Sequence, residues 1–196
     1  MGRHTSAGLL ERELELAQVT ADIEEAGEGR GGLRVVQAPA GIGKTTLLSA
    51  ACEVATERGL RVLSARGSEL ESSFAFGVVR QLFEPALYQA SPDERAAWVT
   101  GAAELVEPMF DPSQPLERLG AGDADYPRLH GLYWLCANLA RDRPLLLSVD
   151  DAHWADDPSL RFLHFLTSRL EDLPVLLLVG TRPSEEALSD LLPMLA

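Results

Sequence analysis

The sequence predicts an α/β domain built around a mostly parallel β-sheet. Short apolar runs alternate along the chain with longer segments in which apolar residues recur at helical spacing, and such alternation is typical of parallel sheets. Two of the runs, residues 145–150 and 175–180, are apolar almost throughout. A strand of that composition is expected to be covered by helices on both faces.

The predicted elements follow one another along a single domain, residues 1–196. Strands are expected at residues 33–38, 60–65, 145–150 and 175–180. Helices are expected at residues 9–26, 44–58, 76–88, 126–143, 157–170 and 185–195. Gly59 suits the left-handed conformation that often follows a helix, and Asp157 before Pro158 is expected to be an N-cap. The proline-rich residues 84–128 predict a variable insertion of short helices and loops.

The charge balance argues against one class of partner. The chain of 196 residues has 17 Lys and Arg against 30 Asp and Glu, a net charge of −13. Such an acidic segment repels a phosphate backbone at long range, so we expect no direct nucleic-acid binding. Because the N-terminus lacks the apolar core of a signal peptide and no apolar run reaches about 18 residues, a cytoplasmic protein without membrane contact is predicted.

The strongest local pattern lies between the first strand and the second helix. Residues 38–45, APAGIGKT, match the phosphate-binding pattern G-x-x-x-x-G-K-[ST] except at Ala38. Glycines let such a loop curl until its backbone N–H groups point at phosphate oxygens, and the following helix adds its positive dipole end. We therefore expect a P-loop that binds ATP and Mg²⁺. Its expected contacts are Ala40, Gly41, Ile42, Gly43, Lys44, Thr45 and Thr46.

Three side chains of the P-loop have separate expected roles. Lys44 would reach the β- and γ-phosphates and assist catalysis, while the Thr45 hydroxyl would ligate Mg²⁺. Thr46 would add a hydrogen bond to the α-phosphate. ATP is favoured over GTP because the sequence holds no Asn-Lys-x-Asp motif that would read guanine.

Two carboxylates end the third predicted strand. Asp150 is expected to hold Mg²⁺ from the far side, usually through water, with the P-loop on a neighbouring strand. Asp151, one residue on, is expected to polarise the attacking water as a catalytic base. An apolar strand that ends in a carboxylate is what a P-loop enzyme requires at this place.

The residues after two strands leave alternatives open. Thr181 and Arg182 follow the fourth strand, and a catalytic Arg182 would stabilise charge on the γ-phosphate, although a solvated loop arginine fits equally well. His153, next to Trp154, either orients the aspartates or reports nucleotide state, or it is a satisfied histidine in a packed aromatic turn.

The chain resembles the ATPase domain of large LuxR-type transcriptional regulators of actinobacteria, within the signal-transduction ATPases related to the AAA+ class. The residues that carry the resemblance are 9–16, 40–45, 74–83, 129–135 and the run Asp-Asp-Ala-His-Trp-Ala-Asp at 150–156. It implies a P-loop NTPase three-layer sandwich that acts as a nucleotide-dependent switch with slow ATP hydrolysis. It also places Arg12 near the base or ribose, and gives Lys44, Thr45, Asp150 and Asp151 the roles named above.

The resemblance raises a question about completeness. An AAA-like core has five parallel strands, whereas four are predicted, so the expectation is a domain truncated before its last core strand and lid. Self-association, or contact with C-terminal regulatory and helix-turn-helix domains, is then expected. The alternatives are a complete small ATPase, a nucleotide-binding module or fragment without significant hydrolysis or DNA binding, and a small-molecule kinase, for which no substrate-phosphate arginine cluster is evident.

Overall fold

A four-stranded, fully parallel sheet forms the centre of the molecule. The computed structural model describes residues 13–39, 41–111 and 125–183. Its strands are β1 (Gly32–Gln37), β2 (Arg61–Arg66), β3 (Leu145–Asp150) and β4 (Val175–Thr181). Their order across the sheet is β1–β4–β3–β2, and every neighbouring pair is parallel. Helices flank the sheet, so the predicted α/β fold class is confirmed.

The helices of the described residues are α1 (Glu13–Gly27), α2 (Lys44–Glu57), α3 (Gly77–Gln89), α4 (Pro92–Trp98), α5 (Asp125–Ala140) and α6 (Asp157–Thr167). Four of them, α2, α3, α5 and α6, match predicted periodic segments within one to three residues at both ends, and α4 lies in the predicted insertion. Short 3₁₀ segments add Glu69–Glu71, Gly101–Phe110 and Ala152–Trp154. The helix predicted at 185–195 and the first residues of the one predicted at 9–26 lie outside the described residues.

The alternation of side chains along β3 explains why its sequence is apolar at successive positions. Leu146 packs into a core under α1 and α2, together with Val19, Ile23 and Leu47. Leu145 and Leu147 face the other way, into a larger core under the remaining helices. Because successive side chains of a strand point to opposite faces, a sheet covered on both sides needs apolar residues at every position.

The described part of the predicted insertion packs closely on the larger core. α3 continues through Pro85 to Gln89, and α4 follows with a capping box between Ser91 and Glu94. The 3₁₀ segment Gly101–Phe110 lies against α5 and buries Val106, Met109 and Phe110. Residues 112–124 of the segment lie outside the described residues.

The start of α6 differs from the prediction. Asp156, not Asp157, is the N-cap, because its backbone is extended and its side chain accepts the Ser159 N–H at 2.9 Å. Asp157 is then the first helical residue and Pro158 the second. Asp156 is 3% exposed, and it also accepts the Phe76 N–H at 2.7 Å and the Val78 N–H at 3.2 Å, at the start of α3. One carboxylate therefore caps two helices.

The strand order also corrects an expectation about neighbours. β4 lies between β1 and β3, so the strand before the P-loop does not adjoin the strand of Asp150. All strands run in the same direction, and Gln37 pairs with Thr181 as Arg66 pairs with Asp150. The four carboxyl ends consequently meet at one edge of the sheet, where ligands bind in open α/β folds.

No helix in the described part of the chain is long and apolar enough to span a membrane.

Candidate functional site

The loop between β1 and α2 has the backbone conformation that a P-loop requires. Gly41 and Gly43 have φ angles of 81° and 73°, in the left-handed region that favours glycine. A Cβ at either position would meet nothing within 4 Å, so the requirement is conformational rather than steric. The Ala38 N–H donates to the Thr181 carbonyl at 3.1 Å and fixes the start of the loop to β4.

The first turn of α2 is free of competing side chains. Gly43 is its N-cap and provides no side-chain cap, and the turn contains no acidic residue. The N–H groups at the start of a helix have no intrahelical acceptors, and the helix dipole favours an anion there. Thr45 and Thr46 are exposed on this turn, as is Ile42 in the loop before it.

Lys44 is the centre of a buried polar network. It is the only lysine of the sequence, and it is 6% exposed. Its Nζ donates to Asp150 Oδ1 at 2.5 Å and to Asp151 Oδ1 at 2.9 Å. The Thr45 hydroxyl donates to Asp150 Oδ2 at 2.6 Å. Four residues predicted from separate motifs therefore meet at one place.

Both carboxylates of the network are held in the ionised form. Burial opposes ionisation of Asp150, but hydrogen bonds from Lys44, Thr45 and the Asp151 N–H, with the charge of Lys44, outweigh it and lower its pKa. For Asp151, burial is likewise outweighed by hydrogen bonds and charge from Lys44 and Arg66, so its pKa is also lowered. Two negative charges thus face two positive ones, which is how buried charges are tolerated.

Arg66 belongs to the site, although the sequence did not single it out. It ends β2, and its Nη2 and Nε donate to Asp151 Oδ2 at 2.8 and 3.1 Å. Its side chain remains 65% exposed. The sequence could have indicated Arg66, because it follows the predicted strand at residues 60–65. Asp150 and Arg182 were proposed on the same ground, as polar residues at the end of predicted strands.

Gly180 is a second residue that sequence reasoning missed as part of the site. It lies in β4, beneath the contact between Lys44 and Asp150. A Cβ there would lie 2.9 Å from Asp150 Oδ1 and 3.2 Å from Lys44 Cδ. The absent side chain lets Lys44 reach Asp150 across the intervening strand. A glycine inside an apolar strand often marks such a close approach.

The residues after β4 line the outer part of the site. Thr181 is fully buried, and its hydroxyl donates to the carbonyl of Arg182 at 3.2 Å. Arg182 is exposed and borders an open cavity of about 650 Å³, together with Arg66, Asp151 and Trp154. Arg182 therefore stands at the mouth of the site, near the base candidate. Arg12 and Ala40 lie outside the described residues.

His153 occupies the turn that follows the carboxylates. Asp151 has a φ angle of 47°, and the 3₁₀ turn Ala152–Trp154 follows it. Both imidazole nitrogens are buried, and neither has a hydrogen-bond partner in the described ranges. Burial lowers the pKa of His153, the negative charge of Asp151 opposes this, and the positive charges of Arg182 and Lys44 add to it. Within the described residues, His153 is therefore not the hydrogen-bonded histidine of a packed aromatic turn.

Comparison with protein families matches residues 8–179 to the AAA ATPase domain. The chain belongs to the AAA ATPase domain family. Among solved structures it is similar to the Aeropyrum pernix ORC2 protein, described in ADPNP–ADP complexes, at 19% identity and a TM-score of 0.46. That similarity covers 87% of this chain and 41% of the other, so the chain spans less than half the length of that protein. No curated protein matches it.

AAA ATPase domains bind ATP with Mg²⁺, and the residues of this AAA ATPase domain fit both groups. The uncapped start of α2 and the buried amine of Lys44 suit phosphate. The Thr45 hydroxyl and the Asp150 carboxylate, 2.6 Å apart, supply the oxygen ligands that Mg²⁺ prefers. Gly41 and Gly43 adopt the left-handed conformation that lets such a loop curl around phosphate.

Proposed function

We propose that this AAA ATPase domain binds ATP with Mg²⁺, hydrolyses it slowly, and serves as the nucleotide-dependent switch of a LuxR-family transcriptional regulator. The observation that carries the proposal is the convergence of Lys44, Thr45, Asp150 and Asp151 on one network at the end of the P-loop. These residues come from two segments that are distant in sequence, the start of α2 and the end of β3, and have the chemistry that phosphate and Mg²⁺ require.

Each residue has one task in the proposed mechanism. The loop N–H groups and Thr46 bind phosphate oxygens, and Lys44 leaves its bonds to the aspartates to neutralise the terminal phosphates. Thr45 and Asp150 hold the cation, which supplies charge neutralisation when bound. Asp151 accepts the proton of the attacking water, and Arg182, at the mouth of the site, offers its guanidinium to the γ-phosphate.

Slow turnover follows from the state of Asp151. A general base works best when its pKa lies near the working pH, and a carboxylate bound by Lys44 and Arg66 has a lowered pKa. The same observation favours a second candidate, a nucleotide-binding module without significant hydrolysis. Either chemistry suits a switch, which needs the bound state to last longer than the response that it controls.

The regulatory context is supported by the motifs at 74–83 and 150–156 rather than by the site alone. Asp156 joins these two segments, since it accepts N–H bonds from Phe76 and Val78. The net charge of −13 disfavours nucleic-acid binding by this segment. We therefore assign promoter contact to other domains of the regulator, or to a partner, with the nucleotide state controlling their arrangement.

The deciding experiment is calorimetric titration of the chain with ATP and Mg²⁺, with Lys44→Ala and Arg30→Ala in parallel. Arg30 is a matched control, because it is exposed and paired only with the exposed Glu28 among the described contacts. The wild type and Arg30→Ala are expected to bind with equal affinity, and Lys44→Ala at least about tenfold more weakly. Equal binding by Lys44→Ala would refute the proposed site.

Metal and turnover are tested separately. Thr45→Val keeps the shape of the side chain and removes the hydroxyl, so it is expected to weaken the Mg²⁺ dependence of ATP binding while the chain stays folded. Phosphate release that Asp151→Asn abolishes would support hydrolysis by this base. Release at the level of background in the wild type would leave the nucleotide-binding module as the function.

A further inference from the structure

The side chain of His153, next to the proposed nucleotide site, has no hydrogen-bond partner among the described residues. Within the described residues, the buried side-chain nitrogens and oxygens without a partner are Trp98 Nε1 and both ring nitrogens of His153. In every protonation state at least one nitrogen of an imidazole carries a proton, so a donor without an acceptor is always present. Such groups are rare in folded proteins because leaving them unpaired is costly.

The backbone holds His153 in this position. The Trp154 N–H donates to the Asp151 carbonyl at 2.9 Å, and the Ala155 N–H donates to the Ala152 carbonyl at 3.0 Å. Gly67 presses on the same turn, since a Cβ there would lie 2.3 Å from the Asp151 carbonyl oxygen. The turn also packs against β4. These contacts fix the backbone of the turn that carries His153.

The surroundings of His153 point to the phosphate end of the site. His153 lies in the turn that directly follows Asp151. Asp151 and Trp154, on either side of it, line the open cavity that Arg66 and Arg182 also border. Packing alone does not require histidine here. The ring of Trp154 lies 5.2 Å away in a tilted orientation, and a phenyl ring at position 153 would make a comparable contact without an orphaned donor.

We propose that His153 binds the terminal phosphate directly, because its buried ring N–H lacks an acceptor until oxygen atoms of the γ-phosphate are present. The inference rests on the proposed ATP binding. The imidazole stays unpaired in the free and ADP-bound states and becomes paired in the ATP state. Binding energy that only ATP provides then offsets the cost of the unpaired donor, and the turn after Asp151 is stabilised in that state alone.

The test compares His153→Phe with His153→Gln and His130→Phe. Phenylalanine keeps the ring without hydrogen bonding, whereas glutamine keeps a donor. His130 is the matched control, because its Nε2 already accepts from Trp134 Nε1 at 3.1 Å, on α5. Melting temperature without nucleotide, and the affinities for ADP and the non-hydrolysable ADPNP with Mg²⁺, are measured for each variant.

Two effects of opposite sign are expected from His153→Phe. Without nucleotide, the variant melts higher than the wild type, because an unpaired buried group has been removed. Its affinity for ADPNP falls about tenfold, whereas its affinity for ADP is unchanged. His153→Gln keeps most of the preference for ADPNP. His130→Phe melts at or below the wild type and keeps the full preference.

Failure of this inference is distinguishable from failure of the proposed function. A wild type that binds neither nucleotide refutes both. A wild type that binds both, with the same ADPNP-to-ADP preference in His153→Phe, refutes only the role of His153. A nucleotide-free His153→Phe that melts below the wild type refutes it as well, since the imidazole would then have a partner in the free protein.

Discussion

Asp151, the proposed base, accepts three hydrogen bonds from cationic side chains, and such bonds lower the pKa of a carboxyl group. Lys44 donates to one of its oxygens, and Arg66 donates twice to the other. In the proposed mechanism Lys44 moves to the bound phosphate, whereas Arg66, at the end of another strand, keeps its bonds to Asp151. Under the proposed mechanism Arg66 would keep the pKa of the proposed base low, and its exposed guanidinium is the accessible part of the network.

If Asp151 is the base of the proposed hydrolysis, removal of the Arg66 side chain is expected to speed the reaction. In Arg66→Ala the pKa of Asp151 rises toward its ordinary value, and a stronger base should increase turnover by roughly 3- to 10-fold. Steady-state phosphate release at saturating ATP and Mg²⁺ measures the effect. Arg58→Ala is the control, because Arg58 forms an exposed pair with Glu24 at a distance from the site. A fall in turnover in Arg66→Ala would show that Arg66 assists the reaction.

The same carboxylates predict how stability depends on pH. The pKa values of Asp150 and Asp151 are lowered in the folded state relative to about 3.9 in the unfolded chain. Their contribution to stability is therefore complete above about pH 4 and is lost as pH falls through the lowered values, because the unfolded chain binds protons first. Each group contributes a slope of at most about 1.4 kcal/mol per pH unit.

Melting curves between pH 6 and pH 3 test this dependence. Asp151→Asn removes one of the two groups, so its melting temperature should fall less steeply with acid than that of the wild type. Asp172→Asn, at an exposed position, is the matched substitution and should keep the wild-type slope. Parallel curves for Asp151→Asn and the wild type would contradict the assignment.

At the scale of elements, two helices depend on one side chain. The N-termini of α3 and α6 meet at Asp156, and Ser159 completes the junction by accepting the Val79 N–H at 3.1 Å. Phe76, just before α3, has a φ angle of 60° although it is not glycine. Such a strained conformation persists only where the surroundings fix it, and the bond from its N–H to Asp156 does so.

Loss of the Asp156 carboxylate is expected to be severe. Asp156→Ala removes an N-cap and leaves buried N–H donors unpaired, so it should lower the free energy of unfolding by about 2–4 kcal/mol. Urea unfolding monitored by circular dichroism measures the loss. Asp157→Ala, one residue on and exposed, should cost less than about 1 kcal/mol, as expected for a charge near a helix N-terminus. Similar losses in both variants would argue against the shared cap.

At the scale of the whole molecule, the sequence predicted the structural features that depend on local residue patterns. The bounds of β3 agree with residues 145–150 because both faces of that strand are buried and most of its residues are apolar. The cap of α6 was displaced by one residue because Asp156 and Asp157 are chemically the same, and only the backbone angles distinguish them. Local pattern also located the P-loop glycines and the two aspartates.

What the sequence did not predict depends on which strands are neighbours. The position of β4 between β1 and β3 brings Gly180 beneath Lys44 and Asp150, and no periodicity encodes strand order. Arg66 joins Asp151 only because β2 pairs with β3 in a register that aligns residues 66 and 150. The unpaired state of His153 likewise emerges only when burial from several elements is known.

The burial of Lys44 has a consequence for the covalent chemistry of the protein. Acylating reagents, amine cross-linkers and lysine-directed enzymatic modification all need an accessible primary amine. Apart from its α-amino group, this sequence offers them one amine, and that amine is enclosed between two carboxylates. The folded surface is therefore inert to lysine chemistry, and any label on Lys44 records a molecule whose nucleotide site had opened.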